Sequence, residues 1–171
     1  MARRLPDLGV KSNAKNYRGE AALHVVSRGE CDSQDGVRIA RLLEHGANMN
    51  EEDEINTTAL HVGSLHRKYE IVRLLLSHNT EANAEANGGE TASHRVAHIK
   101  YGSPEYARVA RVLLVYGIDV DARCRKDRTP LHFASNFGKP EIAQLLLDHG
   151  ANVNAEAVDI GAPLHVSSMR D

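Results

Sequence analysis

The sequence predicts an all-α repeat solenoid, and three observations carry that reading. A short slot ending in histidine occurs five times, as Ala22-Leu23-His24, Ala59-Leu60-His61, Ala92-Ser93-His94, Pro130-Leu131-His132 and Pro163-Leu164-His165. Ten residues before the middle position of each slot stands Asn13, Asn50, Asn83, Asp121 or Asn154, so two landmarks repeat in register. Between slots, apolar residues fall at i, i+3 and i+4, as in Ile39, Leu42, Leu43; Ile71, Leu74, Leu75; Val109, Val112, Leu113; and Ile142, Leu145, Leu146. That spacing marks one buried face of a helix.

Each slot opens a first helix. Thr58, Thr91 and Thr129 stand where a hydroxyl can accept an orphan backbone N–H, and Pro130 suits a first turn that needs no donor. Ala21 and Ala162 lack the hydroxyl, an expected cost of about 0.5–2 kcal/mol each at a true cap position. The second helix carries the apolar face and stops at Gly46, Gly117 or Gly150, with Asn79 as the non-glycine substitute for a left-handed residue.

The run Thr129-Pro130-Leu131-His132, followed by Gly138, Ile142 to Leu147 and Gly150-Ala151-Asn152-Val153-Asn154, resembles the ankyrin repeat, and the likeness extends over nearly all 171 residues. It implies helix–turn–helix units joined by β-hairpin-like fingers, about four of them plus incomplete terminal pieces. The expected boundaries are 1–15 for the tail of a preceding repeat, then 16–52, 53–85, 86–123 and 124–156, with 157–171 an incomplete fifth. The resemblance also implies that the slot histidine bonds the Thr hydroxyl and the backbone of the adjoining repeat. Truncated ends of this kind suit either a piece of a longer array or a short gene product, and would expose apolar surface favouring weak self-association.

Three irregularities stand out. From slot to second helix the chain runs 16 residues in Leu23–Ile39 and Ser93–Val109 but 11 in Leu60–Ile71 and Leu131–Ile142, so five extra residues are expected between the helices of repeats one and three. Leu43 to Gly46 spans three residues where Leu75–Asn79 spans four, which predicts an irregular end for the second helix of repeat one. Ser93 replaces the inward leucine and predicts a looser layer in repeat three.

Composition narrows the function. With 21 basic and 23 acidic residues the formal charge is -2, giving no global attraction to nucleic acid or anionic membrane. No apolar run is long enough to span a bilayer and the first residues do not read as a signal peptide, so an intracellular, cytoplasmic setting is expected. Cys31 and Cys124 form neither a metal quartet nor a disulfide framework. Eight of the ten histidines are repeat grammar: the five slot residues plus His45, His78 and His149 at helix ends, where a cation suits the dipole. His94 and His98 are four apart, but no third ligand accompanies them. No nucleophile elbow, phosphate loop or zincin motif occurs, so neither catalysis, a metal nor a cofactor is expected.

By resemblance, partners would lie on the concave surface of finger tips and first helices. The corresponding finger residues are Tyr17, Arg18 and Glu20; Glu54 and Ile55 beside Thr57; Asn87 and Glu90; and Arg125, Lys126 and Arg128. On the first helices they are Arg28, Leu65, His66, His98, Asn136 and Phe137. An acidic finger at Glu51–Glu54 and a basic one at Arg123–Arg128 predict a surface dipolar along its length, which would steer and orient a protein partner. Phe137 is the expected anchor, unless it packs beneath the neighbouring helix. The function expected is a non-catalytic protein–protein interaction module. The competing reading is a structural spacer within a larger protein.

Overall fold

The computed structural model describes residues 12–29, 34–98, 104–158 and 161–163. Helices pair within each repeat: α1 (Ala22–Arg28) with α2 (Asp35–Glu44), α3 (Ala59–Leu65) with α4 (Tyr69–Ser77), α5 (Ala92–Ala97) with α6 (Pro104–Val115), and α7 (Pro130–Asn136) with α8 (Pro140–Asp148). Two rows result, because α1 packs on α3, α3 on α5 and α5 on α7, while α2 packs on α4, α4 on α6 and α6 on α8. The core is a sequence of thin layers between rows, built from Leu23, Leu60 and Leu131 of the first helices and Val72, Leu75, Leu113 and Leu146 of the second.

The slot histidines join successive repeats. At each of His61, His94 and His132 the ring Nδ1 accepts the backbone N–H of the threonine three residues before it, at 3.2, 3.2 and 3.1 Å. A backbone N–H only donates, so Nδ1 is unprotonated and the proton sits on Nε2. Nε2 accordingly donates across to a backbone carbonyl of the next finger: His24 to Thr57 (2.7 Å), His61 to Glu90 (3.0 Å), His94 to Arg128 (3.0 Å) and His132 to Gly161 (2.9 Å). The threonine hydroxyls of Thr58, Thr91 and Thr129 also meet Nδ1 of their own repeat, at 2.9–3.0 Å.

The second landmark forms a parallel ladder. Side-chain oxygens of Asn13, Asn50, Asn83 and Asp121 accept the N–H of Asn48, Glu81, Asp119 and Asn152 in the following repeat, at 2.7–2.9 Å. Both sequence landmarks are thus inter-repeat hydrogen-bonding devices, which explains why they recur in register. The histidine contacts satisfy carbonyls at buried or part-buried sites and the ladder ties exposed N–H groups, so each repeat finds partners in its neighbour.

Two expectations about repeat one fail together. Its second helix ends by the same motif as the others: Gly46 N–H returns to Leu43 and Ala47 N–H to Leu42, as Asn79 returns to Leu76 and Thr80 to Leu75. Leu42, not Leu43, therefore plays the part of Leu75 and Leu146, and the end is regular. Measured to the left-handed stop, the span is 23 residues for Leu23–Gly46 and 24 for Ser93–Gly117, against 19 for Leu60–Asn79 and Leu131–Gly150. Repeat one carries four extra residues, not five. Its exposed Arg38 then stands where Ile71 is buried in repeat two. The longer connections fall between α1 and α2 and between α5 and α6, in part at 30–33 and 99–103, outside the described residues. Ser93 is buried, and its hydroxyl bonds Thr91 Oγ1 at 2.8 Å, so its polar atom is satisfied in the leucine position.

Candidate partner-binding surface

Each finger is a five-residue turn closed by its own backbone. The first N–H reaches the fifth carbonyl in Asn16–Glu20, Asp53–Thr57, Ala86–Glu90 and Cys124–Arg128, and the fourth residue returns to the first carbonyl. The fourth position, Gly19, Asn56, Gly89 or Asp127, is left-handed in every case, with φ of 70°, 57°, 74° and 58°. Neighbouring fingers are stitched by Asn87 N–H to Ile55 carbonyl (2.9 Å), Arg125 to Gly88 (2.6 Å) and Val158 to Lys126 (3.0 Å). With the backbone thus occupied, the side chains of the second and third finger positions point outward in rows.

The structure separates the sequence-derived candidates. Tyr17 is 82 % exposed, with the Arg18 guanidinium 5.3 Å from its ring centroid; Glu54, Ile55, Asn87, Arg125 and Lys126 are also exposed. Glu20 is not: it is buried, accepts from Asn16 Nδ2 at 3.0 Å and pairs with Arg28. The fifth finger position precedes the helix and faces the repeat body, so Glu20 is a structural anion and not part of an open contact row. The Asn16 hydrogen bond, with Arg28 beside it, holds its carboxyl below the usual carboxylate range. Glu90, at the same position, is half-buried and pairs with Arg95 at 3.2 Å. Arg128 is half-buried, and its carbonyl receives His94.

On the first helices Arg28 and His98 are exposed, while Leu65, His66, Asn136 and Phe137 are half-buried. Burial, then the positive charge of Arg28, lowers the proton affinity of His66. The expected anchor Phe137 packs on the core: its ring lies 4.8 Å from His98 and 6.4 Å from Phe133, and Phe133 in turn meets the edge of His94. Sequence reasoning missed Val25 and Val158, exposed by 53 % and 76 %. Val158 continues the row of Tyr17, Glu54, Asn87 and Arg125, so extending that register by one finger would have found it.

The charge pattern is narrower than the sequence indicated. Glu51 is taken by Lys15 at 2.7 Å, and the Asp53 carboxylate accepts Ile55 and Thr57 N–H, both at 2.9 Å. Glu52 and Glu54 remain as the exposed carboxylates of that finger. At the other end Arg123 donates to the Glu156 carbonyl at 3.1 Å and leaves Arg125 and Lys126 outermost. Arg18 adds a positive charge before the acidic finger, so the order along the tips is basic, acidic, neutral, basic.

No grouping of three or more His, Cys, Asp or Glu among the described residues could hold a metal ion. His94 has both ring nitrogens engaged, which removes the His94–His98 pair as a chelate. His45, His78 and His149 engage Nδ1 with the carbonyl four residues back, at 2.7–2.8 Å. Burial raises the pKa of the Cys124 thiol, the opposite of what a nucleophile needs. No helix among the described residues is long and apolar enough to cross a membrane.

Stacked helix pairs, fingers with closed backbones and outward side-chain rows define a helical repeat protein. The chain belongs to the ankyrin repeat family: residues 2–87 and 79–157 match the family of ankyrin repeats (three copies). It is 29 % identical to mouse inversin over 124 residues, 72 % of this chain but 11 % of inversin. It is 32 % identical over 135 residues to a fowlpox virus putative ankyrin repeat protein, covering 78 % of this chain and 17 % of that one. It is 34 % identical over 125 residues to human ankyrin repeat and SOCS box protein 6, covering 69 % of this chain and 29 % of that one. The chain therefore spans less than a third of each of these relatives.

Proposed function

We propose that this chain is a non-catalytic module that binds a protein partner across its finger tips and first helices. The observation that carries the reading is the fourth finger. Lys126 and Asp127 hold φ of 69° and 58°, where the third finger places Gly88 and Gly89 at 97° and 74°. Left-handed backbone costs an ordinary L-residue about 1–2 kcal/mol, and strain of this kind collects where a side chain is needed outside. It presents Lys126 beside Arg125 on the fourth finger, with Tyr17 and Ile55 exposed on the first and second. The apolar members supply contact area, and the acidic Glu52/Glu54 finger and the basic Arg125/Lys126 finger supply register and association rate.

The test is affinity capture comparing the chain with Arg125→Glu/Lys126→Glu and Tyr17→Ala/Ile55→Ala variants that melt normally. Phe137 is unsuited to this purpose because of its core packing. A protein retained by the parent and lost from both variants supports the reading. Equal recovery by all three would overturn it and favour a spacer that acts through array length.

A further inference from the structure

We propose that the cleft between the start of α6 and the α7–α8 corner binds a carboxylate carried on a small apolar body, with the Lys139 ammonium as its counter-ion. The cleft has a volume of about 280 Å³, and around Lys139 it is lined by Pro104, Tyr106, Ala107, Gly138, Pro140 and Ile142, with the Glu141 carboxylate also at its wall. It lies at the corner joining first to second helices, away from the fingers, and so is independent of the partner surface proposed above.

Lys139 is only 7 % exposed, and no hydrogen bond or ion pair engages its side chain among the described residues. The stem is buried while the ammonium still reaches solvent through the cleft, so an arriving anion would meet a cation that has no internal partner. The obvious internal candidate, Glu141, is directed to Arg111 of α6 at 3.3 Å. Burial alone lowers the proton affinity of Lys139, with no carboxylate acting in the other direction. Lys68 occupies the same corner of repeat two and is equally buried, so the lysine stem is part of repeat packing. What distinguishes Lys139 is the open cleft in front of it.

A second feature converges on the same point. Lys139 is the N-cap of α8, a nine-residue helix, and provides no side-chain oxygen for the first-turn N–H groups. Those N–H groups and the helix dipole favour negative charge there. The walls are mostly apolar, and the volume is at the lower end of small-molecule sites. One aromatic ring or a short branched chain fits, as in a free small acid or the C-terminal residue of a peptide. Both sources share the recognised group.

The probes are benzoate, its uncharged counterpart benzyl alcohol, and acetyl-Gly-Phe with a free or an amidated C-terminus, each titrated into the full chain and followed by heteronuclear NMR at Ala107, Lys139 and Ile142. Benzoate is expected to give saturable shifts there, with benzyl alcohol binding about tenfold or more weaker, the scale of one lost charged hydrogen bond. Lys139→Met, which keeps the stem, should lose the same factor. Should that variant fail to fold, the acid–alcohol comparison on the parent chain decides. Saturation by the free-acid peptide but not the amide assigns the source to a chain terminus; saturation by benzoate alone assigns it to a small acid. Absence of saturable shifts from either acid up to about 50 mM, or equal binding of acid and alcohol, would overturn the proposal.

Discussion

His61 donates from Nε2 to the carbonyl of Glu90, 3.0 Å away in the next finger, while its Nδ1 accepts from Thr58. The ring serves two repeats only in its neutral form, because protonation converts the accepting nitrogen into a donor facing another donor. Burial is the main reason its pKa is pushed down to about 4 from the ordinary 6.5, with nearby Arg95 acting in the same direction and Asp53 against it.

The pH dependence follows from that shift. The unfolded chain takes up the proton at about pH 6.5 and the folded chain only near pH 4, so between those values the unfolded state binds more protons. The His61 contribution is complete above the unfolded pKa and is lost as pH falls towards the folded one, about 3 kcal/mol in all. His94 and His132 shift in the same direction through burial and add to the loss. Urea unfolding should show stability falling steadily from pH 7 to pH 4.5. A flat profile across that window would show that the ring does not couple the layers.

Glu20 is expected to matter for folding and Glu54 is not. Removing the buried Glu20 carboxylate leaves Asn16 Nδ2 and Arg28 without their acceptor, so Glu20→Ala should destabilise by about 1–3 kcal/mol. Glu54→Ala on an exposed tip should stay within about 0.5 kcal/mol. Paired thermal melts decide it, and equal effects would return Glu20 to the exposed surface.

The repeat period, both landmarks and the left-handed stops could all be read from residue identity, because each reflects a local requirement repeated four or five times. Registers inside a helix could not. Ile39 and Ile71 look equivalent by type, and only the return of Ala47 N–H to Leu42 shows that Leu42 is the partner of Leu75. The candidate surface was partly visible for a similar reason. Finger positions follow from counting, which placed Tyr17, Ile55 and Arg125 outside. Whether a side chain at a given position turns back depends on its packed partner, which for Glu20 is Arg28 on the helix of its own repeat and for Phe137 is His98 of the adjoining layer. That information is not local.

Two glycines with the same backbone angle should respond differently to substitution. Gly19 has φ of 70°, and a Cβ there would lie 2.8 Å from the Glu54 backbone nitrogen. Gly46 has φ of 75°, and a Cβ would meet nothing within 4 Å. Gly46→Ala should therefore cost only the left-handed penalty, about 1–2 kcal/mol. Gly19→Ala adds a backbone collision that separates fingers one and two, and should cost more. Chemical denaturation of both variants checks the order; a larger loss at Gly46 would contradict the close approach of the two fingers.

Ala21 offers the converse test, since it is the one first-helix cap among α1, α3, α5 and α7 without a hydroxyl. His24 Nδ1 already accepts Ala21 N–H at 3.1 Å, the geometry that His61 and His132 have with Thr58 and Thr129. In those repeats the threonine hydroxyl adds a second contact to Nδ1 at 2.9 Å, and both threonines fit in fully buried sites. Ala21→Thr places the same hydroxyl beside the same ring in the same extended backbone, φ -82° against -96° at Thr58. The gain expected is about 0.5–1.5 kcal/mol, read as a higher urea midpoint with unchanged slope. Thr58→Ala should lose a similar amount. If Ala21→Thr destabilises instead, the first layer is packed more tightly around its cap than the second, and the equivalence of the two histidine staples fails at that position.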